Sequence, residues 1–558
     1  MDAPVNAPTP SPDHRMLLQR WLPMLRWLPR YTLKTLLADL GASVIVAILL
    51  IPQSMAYALI AGLPPQAGLY ASTLPLLVYA VLGSSMTQSV GPMALTSLMT
   101  ASALAPLVAG GIPPLAAAAA LALLSGMLLL GFGVLRLGFL TYFLSQPVVS
   151  GFTSGTALLI AAGQLQPLLA DSTAFGLCAL ALLALAGEGV SRWLRSPTQA
   201  LLAGRILPLL VLIALALWAA QHGHIATLGH LPADFANWHW PALDAGLART
   251  LFVPALLIGL VGFLQSITIA QTLALQRRET INPDQELVAL GASNVAAACV
   301  GGLPVSGGFS RTAVNAQAGA RTPLAGVFTA GWIVLATLWL GDWLALLPKA
   351  ALAATIIIAA ARLIDWRMLL STWRFGRRDG IALLATLLAT VTLGAVEGVA
   401  VGVVLSLALF IYRTSRPQVV EVGRLPGTEH FRNVARYAVE TQTEIVLVRI
   451  DEQLYFGNTR HVECALSDLL ARHAGAHELV LVLSAVNDVD YSGADWLIRL
   501  QQTLRERHIR IHLAEVKALV REQLERGGVL AALDGELFLS ANDAYNALGQ
   551  PQAPDYVI

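Results

Sequence analysis

From about residue 36 to residue 412 the chain offers one apolar run after another, each long enough to cross a bilayer and separated by short breaks. A chain of this kind has to satisfy its backbone polar groups internally, which favours a packed helical bundle. Only 12% of the 558 residues are charged, against about 25% in soluble domains. The sequence therefore reads as a polytopic α-helical membrane protein over this region. Its 35 basic and 34 acidic residues give no whole-chain argument for nucleic acid. Cys178, Cys299 and Cys464 are far apart and form no ligand or disulfide pattern. Residues 1–14 lack the basic and apolar regions of a cleaved signal, so the N-terminus is expected to stay in the cytoplasm.

About fourteen spans are expected, starting near residues 40, 66, 92, 112, 148, 172, 203, 251, 286, 310, 323, 342, 379 and 397. With the N-terminus inside, one face receives Arg136, Arg192, Arg195, Arg205, Arg277, Arg278, Arg362, Arg367, Arg374, Arg377, Arg378, Arg413 and Arg416. The other receives Arg249, Arg321 and Lys349. This asymmetry fits the positive-inside rule and places both termini in the cytoplasm. The longest external connection carries His222, His224, His230 and His239. No carboxylate or thiol completes a ligand set there, so it reads as a polar loop, and no metal or cofactor is expected.

The two halves share a feature. Gly83-Ser84-Ser85 through Ser89-Val90-Gly91 precedes a short span starting Pro92-Met93-Ala94, and Gly301 through Gly308 precedes one starting Phe309-Ser310-Arg311. Paired, interrupted spans point to an inverted-repeat transporter whose two helix N-termini face each other. Helix N-termini attract anions through free N–H groups and a partial positive charge. Arg311, in the first turn of the second short helix, is a charge inside a span and hence a functional candidate.

Gln53 and Tyr57 lie four apart on the first span and share a face, suited either to lining a pocket or to packing between helices. On the eighth span Gln265, Thr268 and Thr272 form a polar stripe, suited to a cavity wall or to interhelical hydrogen bonds. Asn282-Pro283-Asp284-Gln285-Glu286 reads as a capped helix start, with structural acidic residues.

At these residues the sequence resembles the sulfate permease (SulP) family. The resemblance lies in Ile51 through Ala58, Ala61 through Pro65, Gly68 through Ser72, Gly91-Pro92 with Ser97-Leu98, Asn282 through Gly291, and Pro304 through Asn315. It implies fourteen helices in a seven-plus-seven inverted repeat, core and gate domains, a homodimer and elevator-like movement. It also implies an anion held between the N-termini of the third and tenth helices, by Gln53, Tyr57, Met93, Ser310 and Arg311. One departure stands out: many members carry Glu and Lys where this chain has Gln265 and Gln271. An amide cannot titrate, so proton or sodium coupling through Gln265 is disfavoured, and exchange or uncoupled passage is favoured.

From about residue 417 the composition becomes that of a soluble domain. Strands at 445–450, 479–483 and 509–513 alternate with helices near 459–472 and 493–507, an α/β pattern. Asp451 with Leu454 through Asn458, and Asp488 through Ala494, resemble the STAS domain that follows SulP transport domains. In related anti-sigma factor antagonists a serine at the position of Ser492 is phosphorylated; Ser492 as cap of a helix starting at Gly493 is the plainer reading.

The expected organisation is thus a cytoplasmic segment at 1–35, a transport domain at 36–416 and a cytoplasmic STAS domain at 417–550. The expected function is secondary transport of a small anion, with no enzymatic step, across the inner (cytoplasmic) membrane. Sulfate, bicarbonate, chloride and dicarboxylates stay open, as does a cytoplasmic protein partner for the STAS domain. A nucleobase symporter should carry carboxylates at the positions of Gln265 and Ser310. A channel or a voltage-responsive motor is a further alternative. A membrane anchor for signalling leaves Arg311 and the paired breaks unexplained.

Overall fold

The computed structural model describes residues 21–139, 145–186, 197–222, 225–229 and 240–549. It forms two compact units that divide between Ser406 and Leu407.

The first unit is helical. Its first half holds α1 (Leu33–Ile60), α2 (Pro65–Tyr70), α3 (Leu74–Leu82), α4 (Ala94–Ala109), α5 (Pro114–Val134), α6 (Gln146–Gly163), α7 (Leu165–Leu169), α8 (Thr173–Ala184) and α9 (Pro197–Gln221). The second half holds α10 (Ala245–Arg277), α11 (Pro283–Cys299), α12 (Phe309–Gln317), α13 (Leu324–Ala345), α14 (Lys349–Ala361), α15 (Trp366–Phe375), α16 (Arg377–Leu393) and the start of α17 (Ala395–Thr414), the helix within which the division falls. A helix begins within seven residues of every expected start, the widest gaps being 33 against 40 and 349 against 342. Among the described residues seven helices are long and apolar enough to cross a membrane, and three shorter ones are apolar. Length and apolarity alone therefore do not return fourteen. Prolines and glycines split several runs, as between α2 and α3.

Local chemistry sets the helix starts. Asn282 caps α11, its side chain accepting from the amides of Asp284 (3.0 Å) and Gln285 (3.3 Å), and Pro283 occupies the first helical position. Asp244 caps α10 by accepting from Leu247 N at 2.6 Å. Close packing relies on small residues. A Cβ on Gly126 of α5 would meet the Gly291 carbonyl of α11 at 2.7 Å.

Two buried carboxylates hold the unit together. Glu286 accepts from Tyr79 Oη (2.8 Å), Ser84 N (2.7 Å), Ser84 Oγ (2.7 Å) and Ser85 N (3.1 Å). It thereby fixes the Gly83-Ser84-Ser85 stretch to α11, so its role extends beyond complementing the dipole of its own helix. Asp39 on α1 accepts from Arg321 N (2.7 Å), Thr322 N (3.1 Å), Thr322 Oγ1 (2.6 Å) and Tyr31 Oη (3.2 Å). Burial, reinforced by Asp39, pushes the Tyr31 hydroxyl up to about 12.

The second unit carries a six-stranded sheet: β3 (Val419–Arg424), β4 (Phe431–Asn433), β5 (Ile445–Ile450), β6 (Glu478–Val482), β7 (Arg510–Ala514) and β8 (Leu537–Phe538), after two short strands described below. Its order is β4-β3-β5-β6-β7-β8, parallel from β5 to β8 and antiparallel at β3 and β4. Alternation along β5 divides its residues between two cores. Val446, Val448 and Ile450 face the helices α18 (Thr459–Leu470), α19 (Tyr491–Glu506) and α20 (Ala518–Arg526), whereas Ile445 and Leu447 pack with Tyr545 of the helix Ala541–Leu548. The hydrogen bond to Asp451 raises the Arg449 guanidinium above its ordinary range.

Tyr79→Phe deletes one hydrogen bond to a buried charge and should destabilise the first unit by about 1.5–3 kcal/mol. Glu286→Ala should cost more, because it orphans the Ser84 and Ser85 amides. Thermal unfolding of the purified protein in detergent checks the order; equal midpoints for the two variants would show that the loop is held elsewhere.

Candidate functional site

The two glycine-rich stretches meet. Val90–Gly91 (β1) and Ser306–Gly307 (β2) pair antiparallel, Val90 opposite Gly307 and Gly91 opposite Ser306. Each strand runs straight into a helix, β1 into α4 and β2 into α12. Met93 and Gly308 stand at the N-cap positions in extended conformation, and neither makes a side-chain capping bond. The pairing thus holds two helix starts side by side with their first N–H groups uncapped by these residues.

The surroundings enforce this pairing. Asn294 of α11 donates to Val305 O and accepts from Val305 N, both at 2.9 Å. Ser266 of α10 accepts from Gly307 N at 2.6 Å. Thr312 Oγ1 accepts from Ser89 N at 3.2 Å, and Asn315 Nδ2 donates to Thr87 O at 2.8 Å. Five backbone groups of the two breaks, Thr87 O, Ser89 N, Val305 N and O, and Gly307 N, are thus met by neighbouring polar side chains.

Arg311 lies inside this crossing and is 6% exposed. Its Nη2 donates to Pro92 O at 3.2 Å, while Nε and Nη1 are buried without a hydrogen-bond partner among the described residues. No described carboxylate pairs with it. The guanidinium occupies space that only glycine leaves: a Cβ on Gly91 would sit 2.6 Å from Nη1, and one on Gly308 would sit 3.0 Å from Nη2. A desolvated arginine with two open nitrogens has unused hydrogen-bond donors in a buried setting.

The other expected residues fall as follows. Tyr57 of α1 is half-buried against a cluster that includes Ala94, the first residue of α4, and lies within electrostatic reach of Arg311. Met93 is half-buried, and its sulfur accepts from Ser306 Oγ at 3.0 Å. Ser310 is the second residue of α12; its side chain lies outside the described set. Gln53, one turn before Tyr57, lines a cavity of about 150 Å³ with Pro208, Thr355 and Arg362, on the side of α9 and α14. Gln265 Oε1 is buried without a partner among the described residues. Thr268 and Thr272 are exposed and donate back to the carbonyls of Leu264 and Thr268. Of the polar side chains on α10, it is Ser266 that bonds to β2. Gln88 was not anticipated: its amide is buried, has no partner among the described residues, and packs against Gly307. A lone glutamine in a run of small residues was the signal for it.

Ser492 is half-buried in the first turn of α19, and the cap is Asp490, accepting from Gly493 N at 2.7 Å. The capping role expected of Ser492 thus belongs to Asp490, because the helix starts at Tyr491. His222 bonds to Trp218 O at 2.9 Å and packs against the Trp218 ring; His224, His230 and His239 lie outside the described residues. Among the described residues no cluster of His, Cys, Asp and Glu is fit to hold a metal.

A protein-family model described as the sulfate permease family matches residues 36–174 and 170–386. The chain belongs to the sulfate permease family. This is a family of transporters, not of enzymes. A STAS domain matches residues 436–544. The permease is 33% identical to the chloroplastic sulfate transporter 4.1 of Arabidopsis thaliana, covering 94% of this chain and 81% of that one. It is also 33% identical to a probable sulfate transporter of Mycobacterium tuberculosis, covering 94% and 98%. In fold it is similar to the murine solute carrier 26 family member A9 anion transporter in the inward-facing state (TM-score 0.85, 23% identity, 97% of this chain and 96% of that one). The transmembrane domain of a cyanobacterium bicarbonate transporter aligns with a TM-score of 0.57 at 21% identity, over 67% of this chain and 98% of that one. The permease is accordingly a multi-pass helical membrane protein followed by an α/β STAS domain.

Ser266→Ala in the permease should leave the buried Gly307 amide unpaired and cost about 1–3 kcal/mol. Thermal unfolding checks this; an unchanged midpoint would mean that the amide has another acceptor.

Proposed function

We propose that the permease is a secondary transporter of small anions and that its site is the crossing of β1 and β2. The observation that carries this reading is the buried Arg311 guanidinium, with two open nitrogens beside two helix N-termini. Family membership and relatives named as sulfate transporters support an anion, and make sulfate the first to test. An anion here would meet the donors of Arg311 and the first amides of α4 and α12. Tyr57 and Met93 are the proposed walls, with Ser310 as the proposed contributor from the first turn of α12; Gln53 is assigned to the approach from α9 and α14, and Gln265 and Thr268 to the flank on α10.

In this reading α4, α10, α11 and α12 travel as one body, because Asn294 and Ser266 fasten the crossing to α11 and α10. Such a body suits elevator-like movement past a gate formed by the other helices. The neutral Gln265 amide binds no proton, which favours anion exchange over proton-coupled symport through that position. Arginines concentrated on one side support cytoplasmic termini in the cytoplasmic membrane. A transport domain at 36–416, a STAS domain at 417–550, a homodimer and a protein partner for the STAS domain, with Ser492 as its regulatory position, complete the proposal.

The test is radiolabelled sulfate uptake into proteoliposomes with no gradient, with a proton gradient and with internal counter-anion. Uptake should be stimulated by internal anion alone. Arg311→Ala should reduce it about tenfold or more, the loss expected for charged hydrogen bonds, and Arg311→Lys should recover part of it. Full activity in Arg311→Ala would remove Arg311 from the site. Proton-driven uptake would rule out the exchange reading, and absence of sulfate uptake would move bicarbonate and dicarboxylates to the front.

A further inference from the structure

The helix α15 has no part in the crossing, and its composition is unlike that of its neighbours. Before it, residues 350–361 carry no charge; after it, residues 380–393 carry none. Between these runs stand five arginines, Arg362, Arg367, Arg374, Arg377 and Arg378, against two aspartates, Asp365 and Asp379.

Geometry fixes where α15 can lie. Its ten residues span about 15 Å, half of the roughly 30 Å hydrocarbon core, so it cannot cross. Its tethers are short: Leu363, Ile364 and Asp365 join it to the end of α14 at Arg362, and Gly376 alone joins it to α16. Asp365 caps it by accepting from Met368 N at 2.9 Å, so the helix starts firmly. A short helix tied closely between two uncharged helical runs is confined to the boundary where charge resumes.

Its faces match that boundary. Trp366, Leu370 and Trp373, at steps of four and three, form one stripe, and each is more than half exposed. Arg367 and Arg374, seven apart, form the adjoining stripe; both are exposed, with no ion pair among the described residues. Thr372 is buried, and the Trp373 ring packs over Gly380 of α16, which fixes the rotation of the helix. An exposed tryptophan-leucine stripe beside an arginine stripe is the pattern of a helix lying in the interface, with aromatic rings at headgroup level.

We propose that α15 lies in the membrane surface and that Arg367 and Arg374 bind phosphate groups of anionic phospholipids. Trp366 and Leu370 enter the acyl boundary, and the two guanidinium groups meet phosphate oxygens in the headgroup layer. Asp365 is engaged as the cap, and Asp379 lies on α16 beyond Gly376, so neither competes for the face carrying Arg367 and Arg374.

The test is native mass spectrometry of the full-length permease in detergent, titrated with phosphatidylglycerol or phosphatidylcholine. Wild type should retain phosphatidylglycerol preferentially. Arg367→Gln with Arg374→Gln should weaken that retention about fivefold for each arginine and leave phosphatidylcholine unchanged, whereas Arg367→Lys with Arg374→Lys should keep most of it. Equal retention of phosphatidylglycerol by wild type and the double glutamine variant would overturn the proposal. A second measurement does not depend on these variants. A bimane attached through Leu370→Cys, in a chain with its three cysteines replaced by serine, should be quenched by spin-labelled lipid in vesicles of 3:1 phosphatidylcholine and phosphatidylglycerol. A probe quenched only by water-soluble agents would overturn the placement in the bilayer surface.

Discussion

Everything in the first unit is arranged around a stretch of backbone that cannot be helical. Extended peptide enclosed by apolar helices has no water to bond with, so each N–H and C=O needs a partner in the protein. The permease solves this by letting its two extended segments pair with each other and by supplying Asn294, Ser266, Thr312 and Asn315 for the groups that the pairing leaves over. Once these partners are in place, the starts of α4 and α12 are neighbours and Arg311 has a fixed address. The helix packing elsewhere, such as the glycine contact between α5 and α11, keeps that crossing tight.

Three features were legible in the sequence for physical reasons. Apolar runs must be helices in a membrane, and each expected start has a helix near it. The glycine-rich breaks before residues 92 and 309 had to serve something, and the structure joins them through β1 and β2. The N-cap at Asn282 followed from side-chain chemistry alone. The parts that were not legible depend on contacts far apart in sequence. Glu286 looked like an ordinary first-turn acid, and the three residues that donate to it lie some two hundred residues earlier. On α10 a helical-wheel reading favoured Gln265, Thr268 and Thr272, but the bond to β2 comes from Ser266, because Gly262 on the same face lets β2 approach: a Cβ on Gly262 would sit 3.0 Å from Ser306 Cβ. Gln53 and Tyr57 share a helix face in sequence, and both neighbour α14, but Gln53 lies toward α9 whereas the cluster around Tyr57 includes the start of α4.

The STAS unit shows the same division. The strand at 445–450 was read as one element of an α/β pattern, and in the structure its two faces enter two separate cores. The start of α19 was placed two residues late because Asp490 and Ser492 are both good capping residues. Only geometry shows that Asp490 accepts the bond from Gly493.

The absence of a described carboxylate beside Arg311 has an electrical consequence. A site with one fixed positive charge and no counter-charge is positive when empty, neutral with a monovalent anion and negative with a divalent one. If Arg311 holds the anion as proposed and the site moves through the membrane field, voltage pulls the empty and the divalent-loaded forms in opposite directions, by up to about 2.3 kcal/mol per charge for each 100 mV. The monovalent-loaded form is indifferent. The valence of the cargo, more than its size, then decides which half of the transport cycle responds to the membrane potential.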